Sequence, residues 1–186
     1  MKIQVGDIVL FAWPSGFFNW AVRTYNRLNG ATDEECKYTH VGIVVNVTDE
    51  AIQIAEAIGG RGLSFYDYGL AWAGEAIENG TIKIGRSKLN LKNVLECASE
   101  YLGKGYGYLD ILWIALAFLP LGTRLFSGAR RVICSEFVSR VLYDASDKKL
   151  VLGYDGVDDN SEFNKRFDLI TPFDLLRSKQ IDWNVK

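Results

Sequence analysis

The order of hydrophobic patterns along the chain constrains the fold most, because strand-like runs come first and helical spacing takes over near residue 90. The early runs are rich in β-branched residues or alternate apolar and polar side chains, which is typical of strands. They are GDIVLFAW (6–13), THVGIVVNV (39–47), AIQIAEAI (51–58) and TIKIGR (81–86). The segment between the second and third runs is short and polar, so these two predict a hairpin. Strands followed by helices indicate an α+β domain.

Helical spacing marks most of the later elements. Apolar residues follow one helix face in 91–103, and Thr171 with Pro172 is typical of the start of a helix. The predicted helices are 17–30, 91–103, 133–146 and 169–179. The predicted loops are 31–38, 60–80 and 147–168, with a Gly/Tyr turn at 105–108. Because no repeat or linker interrupts the pattern, residues 1–186 are expected to form a single domain.

The composition excludes several classes of function. A net charge of −2 gives no basic field, and no basic cluster interleaves with aromatic residues, so we expect no nucleic-acid partner. The three cysteines cannot all pair and match no zinc motif, which predicts free thiols in a reducing compartment. The N-terminal sequence lacks the pattern of a signal peptide. We therefore expect a cytoplasmic protein without a cofactor, and its oligomeric state stays open.

An apolar run, LDILWIALAFLPLG (109–122), is the one segment that raises the question of a membrane. It carries Asp110, contains Pro120 and is too short to span a bilayer. No transmembrane segment is therefore expected. A buried helix is the favoured interpretation, and a surface that faces a membrane or a substrate is the alternative.

The only histidine and one of the cysteines form a candidate catalytic pair. Cys134 opens a predicted helix, where free backbone N–H groups favour a thiolate and can also stabilise an oxyanion. His40 lies in a predicted strand and is the one imidazole available to accept the thiol proton. Gly42, on the same strand face, would leave room for a substrate backbone or for the helix of the nucleophile. The alternatives are a buried structural cysteine and a buried structural histidine.

Glu56 is the candidate for a third catalytic residue. A hairpin centred near residues 48 and 49 pairs residue 41 near Glu56, within a residue or two, so the carboxylate lies close to His40. A carboxylate there can accept from the imidazole and select its tautomer. A position on the solvent-facing side is the alternative for Glu56, and Gln53 is a weaker candidate on the same strand.

The remaining polar residues near the pair suggest structural roles. Glu136 would oppose a thiolate if it pointed inward, so we expect it to point away or to pair with Arg140. Cys97 is expected in the core, and a metal site of Cys36, His40 and Cys134 lacks a fourth ligand, so no metal is expected. Three tyrosines are candidate second oxyanion donors, with no choice among them: Tyr38, Tyr106 and Tyr108.

Five stretches of the chain together resemble the circularly permuted branch of the NlpC-type papain-like cysteine hydrolases. They are GDIVLF (6–11), THVGIVV (39–45), AEAI (55–58), ICSEFVSRVL (133–142) and ITPFDLLRS (170–178). The similarity lies in their order: strand, histidine strand, acidic strand, cysteine helix. The stretch around Cys134 also resembles the cysteine helix of relatives of lecithin:retinol acyltransferase, which share the permutation.

The resemblance implies a permuted papain-like fold in which a small antiparallel sheet or barrel packs against helices. It implies Cys134 as nucleophile, His40 as general base and Glu56 as the residue that orients the imidazole. The implied reaction is hydrolysis of an amide, in a peptide or a peptidoglycan-type substrate, through an acyl-enzyme. A lipid acyl hydrolase or acyltransferase, and a catalytically silent domain that binds peptide or lipid, remain alternatives. Many members carry a secretion or lipoprotein signal, whereas none is expected here, and this departure argues against cleavage of the cell wall from outside.

Overall fold

One six-stranded antiparallel sheet organises the molecule. The computed structural model describes residues 2–13, 16–28, 30–106, 131–149 and 170–185. The strands of the sheet are β1 (Ile8–Phe11), β2 (His40–Val47), β3 (Ala51–Ile58), β4 (Gly62–Gly69), β5 (Ile82–Ser87) and β8 (Ile181–Asp182). Their spatial order is β4-β3-β2-β1-β5-β8. Two further short strands, β6 (Gly105–Tyr106) and β7 (Arg131–Val132), pair in parallel.

Six helices accompany the sheet among the described residues. They are α1 (Phe17–Leu28), α2 (Asp33–Cys36), α3 (Leu70–Glu78), α4 (Val94–Ser99), α5 (Cys134–Ala145) and α6 (Pro172–Arg177). Both α4 and α5 pack on one face of the sheet, where their side chains join Val41 and Ile43 in the larger core cluster. The opposite face holds Val44 and Ile54, which pack with Ala73 and Ala76 of α3. No helix in the described part of the chain is long and apolar enough to cross a membrane.

The predicted α+β class is confirmed, as are the four predicted strands and the predicted hairpin. Strands β2 and β3 pair with Gly42 opposite Glu56, one residue from the predicted register. All four predicted helices are also present, at 17–28, 94–99, 134–145 and 172–177. The last begins as predicted, because Thr171 caps it and Pro172 occupies its first turn.

Two predicted loops were wrong. Segment 31–38 contains the short helix α2, which Thr32 and Glu35 stabilise by a reciprocal capping box. Segment 60–80 contains strand β4 and helix α3. Pairing with β3 along the whole length of β4 overrides the glycine-rich, mixed composition that had predicted a loop.

The Gly/Tyr turn predicted at 105–108 was also wrong in its first half, because Gly105 and Tyr106 form β6. Strand β6 forms because of a tertiary contact, since its pairing partner β7 lies far along the chain. The rest of that turn, the apolar run 109–122 and most of the excursion predicted at 147–168 lie outside the described residues.

Candidate active site

His40 and Glu56 meet across the β2–β3 hairpin. Glu56 lies directly opposite Gly42, which makes it the diagonal neighbour of His40 on the same face of the sheet. The imidazole Nε2 lies 2.8 Å from the Glu56 Oε2, and both side chains are buried. A carboxylate accepts here, so Nε2 carries the proton and donates. This fixes the ring orientation and leaves Nδ1 for a second partner.

Gly42 provides the space for the Glu56 side chain. A Cβ atom at this position would lie 2.8 Å from Glu56 Cγ and 2.6 Å from Ile54 Cγ2. The expectation that Gly42 opens room for a substrate or for the nucleophile's helix was therefore wrong. The reason is the alternation of the strand, since the face that carries Gly42 is filled by neighbours from β3.

Tyr68 is a fourth member of the site, and the sequence analysis missed it. Its hydroxyl donates to Glu56 Oε1 at 2.8 Å, so both carboxylate oxygens of Glu56 accept a hydrogen bond. Burial, followed by the charge of Glu56, raises the pKa of Tyr68, which keeps the hydroxyl protonated and able to donate. The missed signal was the alternation in residues 62–69, which places Tyr66 and Tyr68 on the face that carries Glu56.

Cys134 is the first residue of α5, and its sulfur is surrounded by donors. Ile133 occupies the N-cap without a side-chain cap, so the first-turn amides are free for other partners. The imidazole of His40 and the backbone N–H groups of Val41 and Ser135 lie near enough to the sulfur to lower the pKa of Cys134. Val41 immediately precedes Gly42, where the β2–β3 pairing begins, so its amide lies at the open end of the hairpin.

The pKa values of the two residues shift in opposite directions. Burial alone raises the pKa of Cys134, but the charge and hydrogen bond of His40, with the two backbone amides, lower it below its ordinary value. Burial alone lowers the pKa of His40, but the charge and hydrogen bond of the Cys134 thiolate, followed by Glu56, raise it to about 9. Both shifts act in the direction that favours transfer of the Cys134 proton to His40.

Aromatic rings enclose the imidazole on its other sides. The indole of Trp13 stacks on it, with ring centroids 4.2 Å apart and planes 9° from parallel. Phe11, its cross-strand partner in β1, lies 5.4 Å away at a tilted angle. Tyr68 in turn stacks on Trp72, which reaches the surface. The charged pair is therefore held in a largely apolar setting.

Other sequence candidates lie elsewhere. Gln53 is on the opposite face of β3 from Glu56 and donates to Asp67 at 2.9 Å. The thiol of Cys36 donates to the Arg23 carbonyl at 3.8 Å, while Cys97 is half-buried against the core. Within the described ranges, no group of three or more His, Cys, Asp or Glu side chains could hold a metal ion.

Two further expectations concern the surroundings of Cys134. Glu136 pairs with Arg140 at 2.9 Å across one helical turn, as predicted. Of the three tyrosines named as possible oxyanion donors, Tyr38 lies buried in the same apolar cluster as Cys134. The side chains of Tyr106 and Tyr108 lie outside the described residues.

Comparison of the chain with protein-family models, curated proteins and solved structures finds no significant match. Its function is therefore argued from the geometry of Cys134, His40 and Glu56.

Proposed function

We propose that this protein is a thiol hydrolase that uses Cys134, His40 and Glu56 to cleave an amide bond through an acyl-enzyme. The observation that carries the proposal is the buried His40–Glu56 hydrogen bond beside a buried cysteine, Cys134, whose pKa His40 lowers. A sulfur at a helix N-terminus, activated by an imidazole that a carboxylate orients, has the arrangement of a nucleophile, a base and an orienting group.

The first half of the reaction starts with the proton already on His40. The Cys134 thiolate attacks the substrate carbonyl carbon, a C–S bond forms, and the carbonyl π electrons move to oxygen. The imidazolium then donates its Nδ1 proton to the leaving nitrogen as the C–N bond breaks. A thioester and a free amine result.

In the second half, neutral His40 acts as general base toward water. The water oxygen attacks the thioester carbonyl while its proton moves to Nδ1, and the C–S bond breaks to release a carboxylic acid. This restores the thiolate–imidazolium pair. Glu56 keeps Nε2–H in place throughout, so the imidazole presents Nδ1 to the reacting groups in both halves.

Backbone amides at the start of α5 suit the oxyanion of the tetrahedral intermediate. The first backbone hydrogen bond within the helix runs from Phe137 N–H to the Ile133 carbonyl, so the earlier amides are free of helical partners. The Cys134 N–H adjoins the attacking sulfur, and the positive end of the helix dipole lies there as well. A donor from the enzyme backbone would thus be ready before substrate binds.

The proposal includes a permuted papain-like fold and a peptide or peptidoglycan-type substrate. Support for the fold comes from the strand order β1, β2, β3 before the cysteine helix, and from the packing of α5 on the antiparallel sheet. The same chemistry also serves a lipid acyl ester, with an alcohol as leaving group or acceptor. Turnover of a panel of amides and acyl-lipid esters distinguishes these two substrate classes.

The activation step is tested by peptide-resolved alkylation with iodoacetamide between pH 5 and pH 10. We expect Cys134 to react at a pH clearly below the ~8.5 of a free thiol, and His40→Ala to move its midpoint upward. Cys97 is the internal control, because burial and neighbouring carboxylates raise its pKa. A Cys134 midpoint near that of a free thiol, unchanged by His40→Ala, would refute the proposed pair.

The reaction class is tested with a panel of fluorogenic peptide amides, peptidoglycan fragments and acyl-lipid esters. Turnover of amides that Cys134→Ala abolishes, with a trapped thioester, is the expected result. Turnover of acyl-lipids alone would replace the amidase assignment with the lipid one. Ligand binding that survives Cys134→Ala, without any covalent adduct in the native protein, would instead indicate a silent binding domain.

A further inference from the structure

Trp13 is placed to act on the charge of His40. Its indole is nearly parallel to the imidazole at a centroid distance of 4.2 Å. The face of an indole carries negative charge density and attracts a cation stacked on it, most strongly where water is excluded. His40 is 3% exposed, so this contact is desolvated.

The position of Trp13 is held from α1. The Arg23 guanidinium donates to the Trp13 carbonyl at 2.7 Å, and the Asn19 amide reaches the same oxygen at 3.5 Å. On the other side, the ring of Phe11 lies 5.9 Å from the indole at a tilted angle. These contacts fix the residue just after β1, so its ring stays over the imidazole.

The stack is independent of the other groups that bear on the imidazole. Glu56 hydrogen-bonds the imidazole in the plane of the ring at Nε2, and Cys134 acts on the imidazole through its charge. Trp13 contacts the ring from its face. A planar cation can therefore accept all three partners at once, whereas a tilted ring would lose at least one.

We propose that Trp13 is a positioning residue that stabilises the imidazolium form of His40 by cation–π stacking and holds its plane in line with Cys134 and Glu56. This inference rests on the proposed function for the purpose of the stack. The effect of the stack on His40 is the same whether or not a substrate is turned over. Trp13 touches no reacting atom, so it acts through the imidazole.

An NMR titration of His40 tests the proposal directly, because the chain contains a single histidine and its imidazole signals need no assignment. Fluorinated tryptophans are incorporated at position 13 alone. Each added fluorine withdraws electron density from the ring face, while the shape of the ring is kept. We expect the pKa of His40 to fall stepwise with fluorination. Trp13→Leu, which keeps the site apolar without an aromatic face, should lower that pKa by about one unit.

Two controls make the result specific. Trp20→Phe alters an exposed tryptophan on α1 and should leave the pKa of His40 unchanged. The series is repeated in the Cys134→Ser background, where the thiolate is gone and the fluorination trend should persist. If fluorination of Trp13 leaves the pKa of His40 unchanged in both backgrounds, the inference is overturned. Failure of the proposed function looks different: His40 in the unmodified protein would titrate near 6.5 and Cys134 near a free thiol.

Discussion

At the residue scale, the site depends on where a single proton resides. The raised pKa of His40 and the lowered pKa of Cys134 place it on the imidazole. Glu56 stabilises that cation, and its second oxygen accepts a hydrogen bond from Tyr68. A buried carboxylate with both oxygens hydrogen-bonded holds its orientation, and this in turn holds the ring of His40.

Replacement of the Glu56 charge should lower the pKa of His40. In Glu56→Gln the imidazolium loses its in-plane anion but keeps a similar side-chain shape, so the pKa falls below the value of about 9 in the unmodified protein. Activity that requires the imidazolium should then decline at a lower pH on the alkaline side. The NMR titration of His40 and the pH profile of Cys134 alkylation measure both effects. An unchanged pKa would show that Glu56 does not support the cation.

Loss of the Tyr68 hydroxyl should destabilise the protein and loosen Glu56. Tyr68→Phe leaves one oxygen of a buried carboxylate without its donor, which costs about 1–3 kcal/mol of the free energy of unfolding. Urea denaturation measures the loss, and the alkylation rate of Cys134 at neutral pH should fall with it. Tyr66→Phe, two residues away on the same strand face, is the matched control. Equal effects of the two variants would argue against the assigned role of Tyr68.

At the scale of elements, the β2–β3 hairpin and the start of α5 assemble the site. The hairpin register sets Glu56 diagonally across from His40, and the N-terminus of α5 delivers Cys134 to the beginning of β2. The Val41 amide, at the same end of the hairpin, helps to lower the pKa of Cys134. One strand therefore supplies both the imidazole and an amide to the surroundings of Cys134, from adjacent residues.

A methyl group at Gly42 should disrupt this arrangement. In Gly42→Ala the added carbon would lie within 3 Å of Ile54 and Glu56 side-chain atoms, which lowers the free energy of unfolding by about 1–3 kcal/mol and moves Glu56 from His40. Gly74→Ala is the control, since this exposed position in α3 has open space and favours alanine by up to ~1 kcal/mol. Chemical denaturation and the pKa of His40 report the two effects. If Gly42→Ala and Gly74→Ala changed the free energy of unfolding and the pKa of His40 equally, the role assigned to Gly42 would be contradicted.

Prediction from sequence worked best for these same elements. A short polar turn between two β-rich runs limits the register, so the neighbourhood of Glu56 and His40 was predictable to within one residue. Strand β4 was missed because its glycines and aromatic residues resemble a loop until β3 is present to pair with them. Tyr68 was missed with it.

At the scale of the whole molecule, the two faces of the sheet have different roles. His40, Glu56 and Tyr68 lie on the face covered by α3, whereas α5 packs on the other face. His40 is the first residue of β2, so the imidazole lies at the end of the strand, and Cys134 is the first residue of α5. The geometry of the candidate site thus depends on a sheet that stays rigid near β1 and β2.

An ion pair beside β1 should contribute strongly to that rigidity. Asp7 is fully buried and accepts two hydrogen bonds from Arg86 of β5, at 2.7 and 2.8 Å. Arg86→Met would leave the carboxylate buried without its cation, and the free energy of unfolding should fall by about 3 kcal/mol. Arg27→Met, which breaks the exposed pair with Asp33, should cost at most ~1 kcal/mol. Similar losses in the two variants by denaturant unfolding would exclude this role for the buried pair.

The sequence by itself determined the α+β class, the principal strands and helices, the hairpin, and the candidates Cys134, His40 and Glu56. Local periodicity and turn chemistry carry that information, because they act between residues close along the chain. Only the tertiary structure decided that Cys134 lies close enough to His40 and the Val41 amide for both to lower its pKa, and that Tyr68 and Trp13 complete the surroundings. Those contacts join segments distant in sequence, and their geometry follows from sheet order and side-chain packing, which no local pattern specifies.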